Sequence, residues 1–482
     1  MMNDWKDFFK SKRVTLIGLG LLGRGLGDAI FLAEHGAELI ITDLRDEKTL
    51  APSLERLKKY NPIKAQSAHG AGNISYTLGQ HKLEDFRNRD FILKAAGVPL
   101  DSPFIAEARR SNVPVYMSTA LFAKFAVEAG AVLVGVTGTR GKSTVTHMIH
   151  HALILAGKRA HLGGNVRGIS TLALLPEVQK GDICVLELDS WQLQGFGDLQ
   201  ISPPVAVFTN LKQDHLNYYP TEETYFADKA NIYKFQKVGD ALIVGREVLG
   251  MWIEKSSPPI RPAVPRAIPA DWRLNVLGEH NWDNAAFAAE ALHALELSDV
   301  EIRAGLESFE PVEGRLQLIR TIDGVEIFND NNATTPDATI AGLRALSSSP
   351  PARGGVSSLR DGVVGDSKSK IHDSRTKNIV LIMGGTDKGL DMGKLIEEIP
   401  KYCKGLVLLM ESGTEKLKRI MNYELGITIE ERETLKECVE EAMRLAQSGD
   451  IVLFSPAFAS FGKWFKNEYD RGNQFVELIK KL

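Results

Sequence analysis

An apolar run at residues 131–136 leads into Gly135-Val-Thr-Gly-Thr-Arg-Gly-Lys-Ser-Thr144, and a helical pattern begins near Ser143. A strand, a glycine loop and a helix in that order turn backbone N–H groups toward one point at a helix N-terminus, which is an anion-binding arrangement. Gly138 and Gly141 let the backbone approach the anion with no Cβ in the way. Lys142 has the reach to meet terminal phosphates, and Ser143 or Thr144 offers a hydroxyl to Mg²⁺. The strict phosphate-loop pattern places glycine where this chain has Val136. The surrounding order of elements, rather than the exact pattern, therefore carries the reading. An ordinary glycine turn would not need Gly-Lys-Ser-Thr at that place.

With 482 residues the chain is long enough for two to four domains. Its 44% apolar and 25% charged content is that of a soluble globular protein. A net charge of −3 with dispersed basic residues gives no reason to expect a nucleic-acid surface or a membrane partner, and neither is expected. No apolar run approaches a membrane span, and residues 1–13 lack a signal-peptide core, so a cytoplasmic protein is expected. Cys184, Cys403 and Cys438 are too scattered for a disulfide framework or a zinc site.

Strand and helix patterns alternate almost throughout, which predicts an α/β protein with mostly parallel sheets. Strands are expected at 14–17, 38–42 and 91–93, closing a first domain at residue 118. A second domain, 119–311, holds the phosphate loop and strands at 183–188, 205–210 and 241–244. A third, 312–482, holds strands at 325–328, 379–383, 406–410 and 451–454. Residues 256–269 contain five prolines and read as loop. Residues 347–377, rich in Ser, Gly and charge, read as a flexible insertion.

Several motifs lie at predicted strand ends, where an α/β sheet meets its ligand. Gly18-x-Gly20-x-x-Gly23, with Asp43 about twenty residues on, is a dinucleotide fingerprint. Taken alone it is compatible with NAD, with another nucleotide-ended ligand, or with a structural turn. Glu187 ends a strand and has a carboxylate suited to Mg²⁺. His215 follows another strand and offers a neutral nitrogen to a metal or to a phosphate-bound water. Asn281 and Asn284 lie three apart at a helix start, as caps or as partners of an adenine edge. The polar segments 329–334, 384–388 and 455–460 suggest a second ligand edge.

Together these motifs resemble the Mur ligases, the ATP-dependent amide-forming enzymes of peptidoglycan synthesis, and within them the D-glutamate-adding branch. The resemblance covers nearly the whole chain outside the insertion. It rests jointly on the phosphate loop, Glu187, Asp214-His215, the Lys229 helix, His280-Asn281-x-x-Asn284, Gly314-Arg315, Asn329-Asp330 and Ser455-Pro-Ala…Arg471-Gly472.

It implies a Rossmann-like N-terminal domain, a central P-loop ATPase-like domain and a Rossmann-like C-terminal domain. The first would bind UDP-N-acetylmuramoyl-L-alanine through Gly18, Leu19, Gly20, Leu21, Leu22, Gly23, Asp43 and Arg45, with Asn165 of a Gly163-Gly-Asn165 loop, which moves the fingerprint away from NAD. ATP would meet Gly138, Thr139, Arg140, Gly141, Lys142, Ser143, Thr144, Asn281, Asn284, Arg315 and Asp330. Mg²⁺ would be held by Thr144, Glu187, His215 and Lys229, the lysine as a carbamate. Lys142, Lys229 and His215 would serve catalysis, and Thr334, Lys388, Ser460 and Phe461 would bind glutamate.

The implied reaction is phosphorylation of the alanine carboxylate, capture of the acyl phosphate by glutamate, and release of phosphate, in a monomeric enzyme of cell-wall synthesis. The chain departs from the family pattern at Asn332, where a lysine is expected. Thr334-Thr-Pro336 resembles a subgroup that includes L-glutamate ligases, so the L-enantiomer is an alternative substrate. An NAD-linked oxidoreductase, a folylpolyglutamate-type ligase and a non-catalytic nucleotide binder are the other readings.

Overall fold

The protein is described from a computed structural model over residues 5–60, 74–212, 219, 221–253, 260–348, 377–421, 426–460 and 462–482. His215, Phe461 and nearly all of the expected 347–377 insertion lie outside the described residues.

Three sheets follow one another along the chain. The first comprises β1 (Arg13–Ile17), β2 (Glu38–Asp43), β3 (Ile74–Leu78), β4 (Phe91–Lys94) and β5 (Val115–Tyr116), in the order β3-β2-β1-β4-β5 with every pair parallel. The second comprises β6 (Val132–Thr137), β7 (Ala160–Gly164), β8 (Ile183–Glu187), β9 (Val205–Phe208) and β10 (Ala241–Val244), in the parallel order β10-β9-β6-β8-β7. The third comprises β11 (Gln317–Ile322), β12 (Val325–Asn329), β13 (Ile379–Met383), β14 (Cys403–Leu409), β15 (Thr428–Arg432) and β16 (Ile451–Phe454). Its order is β11-β12-β16-β13-β14-β15, with β11 antiparallel and the rest parallel.

The central strands are buried on both faces, so they read as continuous apolar runs: all of Ile379–Met383 and of Ile451–Phe454 is buried. The edge strands β3, β11 and β15 were not expected from the sequence. β15 reads Thr-Ile-Glu-Glu-Arg and is half-exposed, and such a strand has no apolar run to betray it. Gly163 and Gly164, expected in a loop, instead end β7, and the loop begins at Asn165.

The chain forms two compact units: Met1–Trp272 with Asp283–Phe309, and Arg273–Trp282 with Glu310–Leu482. In the first unit the first two sheets share one core, which runs from Val14 and Leu16 through Phe122 to Leu133 and Leu186. A buried polar staple supplements it. Ser170 Oγ donates to Asp28 Oδ1 at 2.6 Å, and burial pushes the Asp28 carboxyl up to about 6. Gly27 lies against Ser170 and has no side chain to block it. In the second unit one apolar cluster includes Leu343, Leu381, Leu395 and Leu408, and another includes Ile327, Val380, Val407 and Phe475. The buried thiols of Cys184 and Cys438 are pushed up to about 12, as befits small core residues. Among the described residues no helix is long and apolar enough to cross a membrane.

Candidate functional site

In the first unit, β6 ends at Thr137 and four residues separate it from the helix Lys142–Leu155. Gly138 and Gly141 lie in the left-handed region, at φ +138° and +83°. A Cβ on Gly138 would collide with Thr209 Oγ1, and one on Gly141 with Asn284 Oδ1, so the loop is a cradle that only glycine leaves open. It is pinned from the loop after β9. Thr139 N donates to the Asn210 carbonyl at 2.9 Å, Arg140 N donates to Asn210 Oδ1 at 2.9 Å, and Thr209 Oγ1 donates to the Arg140 carbonyl at 2.6 Å.

Two lysines converge on this loop. Lys142 Nζ donates to the Gly138 carbonyl at 3.0 Å and to the Thr139 carbonyl at 3.2 Å. Lys229 ends the helix Glu222–Lys229, whose start is fixed by a reciprocal cap between Thr221 and Thr224. Its side chain is 1% exposed. The ammonium donates to the Gly138 carbonyl at 3.0 Å and to Thr137 Oγ1 at 3.3 Å, and it lies 4.8 Å from the centre of the Tyr225 ring. Thr144 is buried on the first turn after the loop, and Ser143 is at its entrance. The structure thus brings Gly138, Thr139, Arg140, Gly141, Lys142, Lys229 and Asn284 to one place.

Glu187 is buried at the end of β8, beside β6. Its Oε1 accepts from Asn165 Nδ2 at 3.3 Å, and Asn165 Oδ1 accepts from Arg24 Nη1 at 2.5 Å. Three side chains therefore join the strand-end acid to the glycine fingerprint that Arg24 directly follows. Asp189 caps the next helix reciprocally with Gln192, a structural role.

The fingerprint opens onto a cavity of about 310 Å³ at the point where the order of the first sheet reverses, between β1 and β4. Gly18, Leu19, Gly20, Leu21, Leu22 and Arg45 are among its lining residues. Gly23, Asp43 and Asn165 are not. Gly23 begins the helix Arg24–Glu34. Asp43 accepts from Gly20 N and Arg45 N, each at 2.9 Å, so it shapes the loop from behind. Two cations among the lining residues, Arg24 and Lys94, were not expected from the sequence. Arg24 could have been found from its position after the third glycine. Lys94 is 3% exposed and gives its ammonium to the carbonyls of Ala95, Ala96 and Val98, at 3.3, 3.3 and 2.9 Å. Burial holds it down to about 8.

In the second unit the loops after β12, β13 and β16 are joined. Lys388 Nζ donates to Thr334 Oγ1 at 3.0 Å, and Thr386 and Ala459 exchange backbone hydrogen bonds at 2.9 and 3.1 Å. Ser460 is buried beside Ala459. Asn332 Nδ2 donates to the Glu313 carbonyl at 3.0 Å, and the ammonium at Thr334 comes from Lys388 on the loop after β13. Asp330 is buried and accepts from Leu316 N at 3.2 Å and from Ser455 Oγ at 2.9 Å. Desolvation pushes its carboxyl up to about 7, against the opposing pull of these bonds and of Arg315. Burial, and then the Arg315 charge, hold His280 below the usual imidazole range, and Asn281 Nδ2 donates to the Leu277 carbonyl at 2.7 Å.

Thr144, Glu187 and a carbamylated lysine would offer the hard oxygen donors that suit Mg²⁺, and Glu187 and Lys229 are both buried at the ends of elements around β6. Among the described residues there is no group of three or more His, Cys, Asp and Glu that could hold a metal, so the acid here would have to be joined by other oxygen donors.

Residues 136–260 match the Mur ligase middle domain. The chain is 31% identical to UDP-N-acetylmuramoylalanine–D-glutamate ligase of Roseiflexus sp. strain RS-1, over 98% of its own length and 99% of that protein's. Among solved structures it is similar to UDP-N-acetylmuramate–alanine ligase from Thermotoga maritima, with a TM-score of 0.60 and 18% identity over 98% of this chain and 99% of the other. It is also similar to MurF ligase from Thermotoga maritima in complex with ADP, with a TM-score of 0.55 and 15% identity over 98% of each.

Proposed function

This chain belongs to the Mur ligase family, and from that premise we propose that it joins D-glutamate to UDP-N-acetylmuramoyl-L-alanine at the expense of ATP, as a ligase of peptidoglycan precursor synthesis. The observation that carries this reading is the phosphate loop with two lysines folded onto the Gly138 carbonyl. A full-length relative named for D-glutamate supports the choice of enantiomer. The ADP in the Thermotoga MurF complex supports ATP as the nucleotide. None of the relatives compared above is named for L-glutamate or NAD.

We assign the reaction to this chain's residues as follows. The glycine-lined cavity holds the sugar nucleotide, with Gly18–Leu22 and Arg45 against it and Asp43 fixing the loop. The loop Gly138–Thr144 cradles the triphosphate, and Lys142 turns from its carbonyl partners to the terminal phosphate. The alanine carboxylate oxygen attacks the γ-phosphorus, ADP leaves, and an acyl phosphate results. The amine of D-glutamate then attacks the carbonyl carbon, loses a proton, and phosphate departs as the amide forms. Lys388, Thr334 and Ser460 are proposed to hold the glutamate, while Asn281, Asn284, Arg315 and Asp330 keep the ATP role that the resemblance implies. Mg²⁺, when bound, neutralises phosphate charge, and Thr144, Glu187 and Lys229 as a carbamate would hold it, with His215 outside the described residues. The three-domain division at residues 118 and 311 is proposed with it.

The test is release of phosphate from ATP in the presence of UDP-N-acetylmuramoyl-L-alanine and each glutamate enantiomer. Release that requires the sugar nucleotide and D-glutamate together is expected. Release with L-glutamate alone, or with no dependence on an amino acid, overturns the reading.

A further inference from the structure

Arg471 stands apart from the other cations of the second unit. It lies on the helix Glu468–Lys481 and is 0% exposed. Nε donates to Asn331 Oδ1 at 2.7 Å and Nη2 to the Asn331 carbonyl at 3.1 Å. Nη1 donates to the carbonyls of Phe458 and Ala459, at 3.2 and 3.3 Å. One planar fork therefore ties the loop after β12 to the loop after β16. The third loop is seated on the same group: a Cβ added to Gly385, at φ +146°, would lie 3.1 Å from Nη1 and collide with the Ala459 carbonyl.

Among the described residues no carboxylate pairs with Arg471. Glu468 and Glu411 act on it only through space, and burial lowers it to about 10, so it remains a cation at neutral pH. A buried cation without a paired acid is costly to stability, and an apolar side chain would fill the same space more cheaply. Its donors end next to Ser460 and three residues before Thr334, the threonine that Lys388 reaches.

We propose that Arg471 is the positioning residue of the amino-acid half-site, a guanidinium clamp that sets Thr334, Lys388 and Ser460 at fixed spacing and lends a positive field to a dicarboxylic substrate. This deepens the functional reading above and rests on it. The charge alone does not suffice, because an ammonium cannot reach acceptors on two loops with a planar fork.

The test uses the full chain with Arg471→Lys and Arg471→Met. KM is measured separately for D-glutamate, ATP and the sugar nucleotide. Acyl phosphate formed without glutamate is trapped by borohydride reduction, and thermal midpoints are recorded. KM for D-glutamate is expected to rise ~10-fold in the lysine variant and ~100-fold in the methionine variant, since misplacement of a positioned substrate costs about that much. The other KM values and the trapped product should stay within about twofold of the parent. Unchanged KM for D-glutamate in a folded variant overturns the proposal. So does parallel loss of the trapped product, which would make Arg471 a core residue of general importance. A parent enzyme that does not depend on D-glutamate overturns instead the functional reading beneath it.

Discussion

Replacing Asp330 with Asn tests whether this carboxyl is held in place against its own preference. The side chain is buried, with one oxygen on Leu316 N and the other on Ser455 Oγ. An amide keeps both bonds: its oxygen takes the Leu316 N–H, and the Ser455 hydroxyl turns to accept from its nitrogen. What changes is the charge. A carboxyl moved from 3.8 to about 7 by burial costs folding at most roughly 4 kcal/mol when ionised. Because the folded value lies above the unfolded one, the cost is absent below about pH 4, grows as pH rises, and is complete above about pH 7. Urea unfolding of parent and Asp330→Asn at pH 4.5, 6 and 8 isolates this group, since all other titrations cancel in the difference. The variant should exceed the parent by about 1 kcal/mol at pH 4.5 and by up to roughly 4 kcal/mol at pH 8, while phosphate release falls. A stability difference that does not vary with pH would refute the reasoning, because the carboxyl would then carry no burial cost.

Lys142→Ala should reduce phosphate release by about 10³-fold or more and leave sugar-nucleotide binding by equilibrium dialysis unchanged, since Lys142 faces the phosphate loop and not the glycine-lined cavity. Gly141→Ala combines a strained positive φ with a clash on Asn284, so KM for ATP should rise about 10-fold or more in initial-rate assays. Arg24→Met removes the partner of Asn165 and should raise KM for the sugar nucleotide with little change in KM for glutamate. Intact-mass spectrometry in bicarbonate buffer should find the mass of one CO₂ added at Lys229; an active enzyme without it would remove the carbamate.

Much of this was legible in the sequence because it is contiguous. The phosphate loop, the glycine fingerprint and the polar segment at 329–334 each lie within a few residues, at the end of an apolar strand. The mostly parallel sheets followed from the alternation of strand and helix patterns along the chain. What was missed depends on distant partners. Nothing near Asp28 points to Ser170. The role of Arg471 emerges only when residue 331 is folded beside it. The edge strands β11 and β15 are too polar and too exposed for a period to show.

The second unit takes its residues from two places, 273–282 and 310–482, rather than from one terminal stretch. Asn275 bonds to Glu310 and Gly278 packs on Ala345, so the short piece belongs with the long one. Exchanging this unit between relatives is therefore a two-segment graft. A chimera joined once, near residue 310, would strand the borrowed surface against a foreign decapeptide-sized patch and should misassemble.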